Sequence, residues 1–370
     1  MVEKIAPHEY FKELSERGGS RQLQKVITKV NQECAENNVL PVYTLNHLSV
    51  ISKIPLFVTK DIIFDHSKYY TRQKVAKRSS PGFRTIYAPK FPLKQLQRAI
   101  LSNCLPNNGQ VGISYAFQKG SNAISACRQH LGARGMVKLD VANFYGSIST
   151  PSIYRIFHSL GYPELMSIEM ALICSVGQVV EMRPDDQSGK IYKIKKRGRL
   201  TQGSPASGLL SNIHCRKLDR TLELIARDHG AIVTRYADDI TFSTREPMSQ
   251  YVVNSIIGSS IHALKRQRLN LNRRKTSVIR NGRSFNLLGL RVADDGLHLN
   301  SGYKSTVRNH LKKASLQGVS KYSLSLGYSS DLEFIFMLWG HYAYSMGVEK
   351  DFAAEISSKL HTLGIPRLTA

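Results

Sequence analysis

Tyr236-Ala237-Asp238-Asp239 lies between two apolar, β-branched runs, Ala231-Ile232-Val233-Thr234 before it and Ile240-Thr241-Phe242 after it. Strand formers on both sides of a short polar step predict a β-hairpin with the acids at its tip. Side chains alternate across a strand, so adjacent acids act together only where the backbone turns sharply. Carboxylates that close repel each other, and a divalent cation is the usual remedy. Mg²⁺ takes few protein carboxylates and leaves its other positions to water and substrate phosphates. A lone Asp-Asp is more simply a solvated turn. The chain offers one of that kind: Asp185-Asp186-Gln187-Ser188-Gly189 reads as the exposed turn of a hairpin over residues 177–199, with no metal.

A third carboxylate separates the two cases. Met136-Val137-Lys138-Leu139-Asp140-Val141 is another apolar strand ending on an acid, followed by Ala142-Asn143-Phe144-Tyr145-Gly146-Ser147-Ile148. One acid at the end of a strand and two on a neighbouring hairpin can surround a pair of metals, one activating the attacking hydroxyl and the other stabilising the leaving pyrophosphate. Between these stretches, Leu200-Thr201-Gln202-Gly203-Ser204-Pro205-Ala206-Ser207-Gly208 reads as a Gly-bearing turn into a helix, suited to close backbone approach by a nucleotide. The combination points to metal-dependent phosphoryl transfer.

Composition agrees. The 370 residues hold 52 Lys plus Arg against 27 Asp plus Glu, a net charge of +25, as expected of a protein that neutralises nucleic-acid phosphates. The cations cluster at Lys74, Lys77, Arg78, Arg84, Lys90, Lys94 and Arg98, again over residues 193–199, and again at Lys304, Arg308, Lys312, Lys313 and Lys321. A hydrophobic content of 42% supports a large core. No apolar run is long enough to span a membrane and the first residues form no signal peptide, so the expected location is the cytoplasm. The five cysteines show no paired spacing and are expected to be buried, reduced thiols.

At this point the chain resembles the reverse transcriptases. Arg84-Thr85-Ile86-Tyr87-Ala88-Pro89 with Leu93 to Arg98 resembles the family's fingers segment, and Ala116-Phe117-Gln118-Lys119-Gly120 the block after it. Asp140 to Ile148 resembles the first palm motif, Gln202 to Ser207 the nucleotide-facing motif, and Tyr236 to Asp239 the catalytic hairpin. Leu269-Asn270-Leu271-Asn272 with Lys275-Thr276 resembles the following palm motif, and Asn286-Leu287-Leu288-Gly289-Leu290 the primer grip. The matches follow the family's order over most of the chain, and the compact size is similar to that of bacterial retron enzymes. Two retron hallmarks differ: Asn122-Ala123 is followed by a late His130, and Leu287-Leu288-Gly289 stands where retrons carry Val-Thr-Gly.

The resemblance implies an α+β right-hand polymerase fold with fingers, palm and a short helical thumb. The boundaries expected are an N-terminal helical extension over 1–50, fingers over 51–135, palm over 136–300 with 151–200 returning partly to the fingers, and thumb over 301–370. It implies catalysis and metal binding by Asp140, Asp238 and Asp239, with the Val141 carbonyl completing one shell and two Mg²⁺ ions as cofactor, Mn²⁺ being an alternative. Arg84 is expected at the triphosphate, with Lys74 or Lys77 as runner-up, Tyr145 as a steric gate against ribose and Gln202 and Gly203 lining the nucleotide site. Leu288 and Gly289 would grip the primer, and Lys304, Arg308, Lys312 and Lys313 would contact nucleic acid. Lys275 reads equally as a proton donor to pyrophosphate or as a solvated lysine. A retron-type enzyme implies a structured non-coding RNA as template and primer, deoxynucleoside triphosphates, a branched RNA–DNA product (msDNA) and an effector protein in an anti-phage defence system. Another defence-associated or group-II-intron-like reverse transcriptase, or a nucleic-acid-binding scaffold restraining a toxic effector, remains open on the sequence.

Overall fold

A computed structural model describes residues 21–76, 83–106, 112–182 and 192–366. Helices α1 (Arg21–Glu36), α2 (Leu45–Ser52) and α3 (Leu56–Phe64) lead into an antiparallel hairpin of β1 (Tyr70–Ala76) and β2 (Phe83–Pro89), followed by α4 (Phe91–Ala99). Helix α5 (Ala123–Arg128) precedes the central strand β3 (Gly135–Ala142), and α6 (Phe144–Ser147), α7 (Thr150–Ser159) and α8 (Glu164–Ile173) follow it. A second hairpin, β4 (Val179–Met182) with β5 (Tyr192–Lys196), leads to the long helix α9 (Ser207–Asp228). The hairpin of β6 (Ile232–Tyr236) and β7 (Asp239–Thr244), helix α10 (Gln250–Arg266), and the short strands β8 (Asn270–Leu271) and β9 (Ser277–Ile279) complete the central region. Strands β10 (Ser284–Leu287), β11 (Leu290–Ala293) and β12 (Gly296–Leu299) form a small antiparallel sheet. Helices α11 (Ser301–Gln317), α12 (Val319–Ser325), α13 (Asp331–Met346) and α14 (Lys350–Thr362) end the chain.

This is the right-hand polymerase fold, and three hydrophobic cores organise it. The first joins Val30, Cys34 and Leu48 of the N-terminal helices to Leu93, Leu96, Phe157 and Met170. The described part of the stretch expected as an N-terminal helical extension, from Arg21 on, thus shares one core with Leu93 and Leu96 of α4. The physical reason is the apolar face of α1 and α2, where each buried Leu or Ile is worth about 1.5–3 kcal/mol. Gln97 is buried there with its Nε2 donating to the Tyr70 hydroxyl and the Ile173 carbonyl, each at 2.9 Å, while its Oε1 has no partner among the described residues. The same core takes in Ile153, Leu160 and Val180.

The second core is the palm. β3 pairs with β7 along one edge and with β8 and β9 along the other, and β6 flanks β7. Val137, Leu139 and Val141 face Leu218, Leu222, Ile256 and Leu264 of α9 and α10, whereas Met136, on the opposite face of β3, enters the third core. Side-chain alternation thus lets one strand serve two cores, which is why β3 reads as a nearly continuous apolar run. The third core joins β10–β12 to the thumb helices through Phe285, Leu290, Leu311, Phe334, Leu338 and Ile356. Residues 284–299, expected with the palm, share this core both with the C-terminal helices and with Met136 of β3.

The helices expected of the thumb are present from Ser301 on, but their apolar residues divide. Val307, Leu311, Leu338 and Trp339 are buried, while Leu316, Leu332 and Phe336 point outward. The five cysteines are all buried, and burial pushes the Cys34 thiol up to about 12. Among the described residues, no helix is long and apolar enough to cross a membrane. Lys77, Arg78 and the Asp185-to-Gly189 stretch lie outside the described residues.

Candidate active site

The β6–β7 hairpin closes on the pair Tyr236–Asp239, leaving Ala237 and Asp238 as a two-residue turn. Ala237 has a φ of +56°, a conformation that costs a non-glycine residue energy and recurs at functional turns. β3 runs antiparallel to β7 with Asp140 directly opposite Asp239, and the Val141 N–H donates to the Asp238 carbonyl at 3.0 Å. The three acids therefore sit at the same end of one sheet, Asp140 buried, Asp238 half-buried and Asp239 at the solvent.

Their electrostatics are those of a crowded anionic site. Asp238 is held above the usual carboxylate range, first by burial and then by the Asp140 charge, against the pull of its backbone N–H, Lys275 and Arg84. Asp239 is raised to about 6 by desolvation in the cleft and then by the charges of Asp238 and Asp140. Asp140 is spoken for: Lys275 Nζ lies 2.7 Å from Oδ1, and Asn272 Nδ2 donates to Oδ2 at 2.9 Å. As the side chains stand, no three acidic, His or Cys groups among the described residues are gathered into a metal cluster. The donor set nonetheless fits hard cations: three carboxylates on adjacent backbone positions, two of them destabilised as anions, with a lysine already drawn in. The roles of Lys275 and Asn272 as partners of Asp140 were not visible in the sequence.

Beside the acids lies a cleft of about 440 Å³ lined by Tyr145, Gln202, Gly203, Pro205, Leu209 and Phe117, among others. It brings Tyr145, Gln202 and Gly203 together. Tyr145 is half-buried, in edge contact with Phe144 at 5.3 Å between ring centres, and burial, followed by the Asp238 charge, raises its phenol. Gly203 has a φ of +114°, and a Cβ there would come within 2.8 Å of the Tyr87 carbonyl. On one side of this turn the close approach is made by β2, whose Tyr87 N–H donates to the Gln202 carbonyl at 3.2 Å. Phe117, at φ +58°, lays its ring against Gly208 at the start of α9, where any side chain would collide with it. Its place in the wall was not anticipated; an exposed aromatic at positive φ is legible only in coordinates.

The hairpin register separates Arg84 from Lys74. Lys74 pairs with Thr85 and Val75 with Arg84, so the two cations stand on opposite faces of the ribbon. The Arg84 charge is felt at Asp238, whereas Lys74 shares its face with Tyr70 and Tyr87. Leu288 and Gly289 form the β10–β11 turn, both at positive φ (+49° and +86°), as in tight two-residue hairpins. Lys138 Nζ, from β3, donates to the Asn286 carbonyl at 2.7 Å and ties this turn to the palm. In the thumb, Lys304 pairs with Glu349 at 2.6 Å and Arg308 with Glu355 through two bonds of 2.7 and 2.6 Å. Lys312 and Lys313 are exposed, with no ion pair among the described residues.

Residues 75–292 match the family model described as reverse transcriptase (RNA-dependent DNA polymerase). The chain belongs to the reverse transcriptase family. Its match spans Arg84, the three carboxylates, Tyr145, Gln202 and Gly289, and leaves Lys74 and the thumb cations outside. Among curated relatives, this reverse transcriptase is 30% identical over 242 residues to the retron Ec86 reverse transcriptase of Escherichia coli, covering 65% of this chain and 67% of that enzyme. It is 31% identical over 229 residues to the retron Mx65 reverse transcriptase of Myxococcus xanthus, covering 61% of this chain but only 51% of that one. It is thus a reverse transcriptase of the retron type. Among solved structures, the telomerase of Candida albicans is similar with a TM-score of 0.42 and 14% identity, over 80% of this chain and 63% of that one.

Proposed function

We propose that this reverse transcriptase copies a structured non-coding RNA, which also provides the priming hydroxyl, into DNA that stays joined to the RNA as a branched product. The observation that supports this reading is the meeting of Asp140, Asp238 and Asp239 at one end of the palm sheet, beside the cleft that holds Tyr145 and Gln202. Two Mg²⁺ ions, or Mn²⁺, held by Asp140 and Asp238 with Asp239 and the Val141 carbonyl, would supply activation of the primer hydroxyl and stabilisation of pyrophosphate. Asn272 and Lys275 hold the Asp140 carboxylate in place. Arg84 is the cation for the triphosphate, because its fork fits phosphate oxygens and it stands on the ribbon face nearer the acids. Tyr145 excludes a ribose 2′-hydroxyl by bulk, Leu288 and Gly289 hold the primer end, and the exposed thumb cations Lys312 and Lys313 follow the backbone of the duplex. We place the enzyme in the cytoplasm, in an anti-phage system with an effector protein restrained by the RNA–DNA product.

The test is the nucleic acid that co-purifies from the native host when the gene is expressed with its flanking DNA. RNase and DNase digestion should reveal a short DNA of one length joined to RNA, absent when Asp238→Ala is expressed. RNA alone in both preparations overturns the reading.

A further inference from the structure

Arg235 is the bulkiest of the fully buried side chains and stands one residue before the catalytic turn begins. Its Nε and Nη2 donate to the two carboxylate oxygens of Asp219 on α9, each at 2.6 Å. The remaining nitrogen, Nη1, donates to Asn212 Oδ1 at 3.1 Å and to the carbonyl of Ala237 at 3.2 Å. Asn212 is itself fixed, since its Nδ2 donates to the Ala116 carbonyl at 2.6 Å. The outer edge of β6 is held at the same point, with the Arg235 N–H bonded to the Ile113 carbonyl at 2.7 Å and the Tyr115 N–H to the Arg235 carbonyl at 2.9 Å. Helix α9 and the turn thus meet on one guanidinium, and the segment 113–116 is bonded to the backbone of the same residue.

A buried ion pair alone contributes little net stability, because desolvation offsets the attraction. The bond to Ala237 is what an ordinary structural pair lacks. An alanine at φ +56° persists only where its surroundings over-determine it, and the Ala237 carbonyl is part of the turn that presents Asp238. Only a planar fork can serve a carboxylate through two nitrogens and a carbonyl through the third.

We propose that Arg235 is a positioning residue of the polymerase site: clamped by Asp219 and Asn212, it holds the strained Ala237 turn and so fixes the Asp238 carboxylate. The proposal rests on the reading of Asp238 as a catalytic carboxylate.

Removing one member would strand a buried charge and unfold the palm, so the test replaces both, as Arg235→Met with Asp219→Leu. Single-nucleotide incorporation on an RNA template with a DNA primer is measured beside thermal melting. The double variant should melt close to wild type and keep KM for the nucleotide within about threefold, while kcat falls by about tenfold to a hundredfold, the scale of an ångström's misplacement. Adding Ala237→Gly, which adopts positive φ without a clamp, should restore part of the rate relative to Ala237→Gly alone. A folded double variant with wild-type kcat overturns the proposal, as does a loss that Ala237→Gly leaves untouched. If the double variant fails to fold, Arg235→Lys decides: the ammonium still pairs with Asp219 but cannot also reach the Ala237 carbonyl, and wild-type kcat in that variant refutes the clamp. Absence of DNA synthesis by the wild-type chain would instead count against the proposed function.

Discussion

In the palm, Asp140, Asp219, Arg235 and His130 are all buried, and the side chain of each is hydrogen-bonded to partners on other elements. On the thumb, Lys304 and Arg308 reach across from α11 to Glu349 and Glu355 beside the ring of Phe352, at or near the surface. The two regions are charged for different ends. In the palm, low polarisability and fixed dipoles make position matter, so a lost contact should show in rate. At the thumb surface, solvent screens each pair, and a lost contact should show as small changes in stability or in salt dependence.

The largest expected effect lies at the acids. Asp140→Ala and Asp238→Ala should each reduce primer extension by at least about 10³-fold, the scale of losing a principal electrostatic element of a site. Thermal melting should be unchanged or raised for Asp238→Ala, since a crowded like charge is removed, and lowered for Asp140→Ala, which also loses its bonds to Lys275 and Asn272. Primer extension surviving in folded Asp238→Ala protein would remove the contrast with the thumb.

The palm should also carry the stronger pH response, through His130. Its ring sits between Ser243 Oγ at 2.6 Å and Thr234 Oγ1 at 2.7 Å, against the β6–β7 hairpin, and burial lowers its pKa to about 4. At neutral pH the ring is uncharged whether the chain is folded or not. Between the ordinary value near 6.5 and about 4, the unfolded chain takes up a proton that the folded one refuses, so stability falls as pH falls through that window. The full loss is about 3 kcal/mol. Denaturant unfolding at pH 7 and pH 4.5 should show this loss in wild type relative to His130→Gln; the difference between the two proteins removes the opposite contribution of Asp238 and Asp239, whose raised values favour the folded state in acid. Parallel curves would mean that water reaches the ring.

Tyr145 ranks next. Shortening it in Tyr145→Val opens the cleft where the ring now stands, and discrimination against ribonucleotides should fall by about tenfold to a hundredfold. Competition between a deoxynucleotide and its ribonucleotide in single-step extension measures it, and unchanged selectivity would assign the ring to packing against Phe144.

Much of the palm was legible because its signals are local. Alternating apolar residues around Asp238-Asp239, an apolar strand ending at Asp140 and a Gly-bearing turn into α9 each name their own structure. What escaped depends on distance or on register. Arg235 inside a strand carries no mark of Asp219, which lies a helix away, and Phe117 gives no sign of its positive φ. Arg84 was preferred to Lys74 on its chemistry alone, because which face each occupies depends on the register of the hairpin. Leu316, Leu332 and Phe336 fit a helical pattern yet point outward, since a helix's apolar stripe is placed by its neighbours rather than by spacing alone.

The smallest effects test the thumb itself. Lys304, Arg308, Lys312 and Lys313 looked alike as cations on one helix, but the first two are paired with acids and the last two are not paired among the described residues. A cation already neutralised by a carboxylate releases few counterions on meeting a phosphate, whereas a free one contributes nearly its whole charge. Lys312→Ala or Lys313→Ala should therefore lower the slope of log affinity against log salt by about one for a duplex ligand, with melting unchanged. Lys304→Ala should leave that slope alone and cost about 0.2–1 kcal/mol in stability, as exposed pairs do. Equal slopes for Lys304→Ala and Lys312→Ala would show that the Glu349 pair opens on the nucleic acid, making the thumb's surface pairs part of binding rather than of the fold.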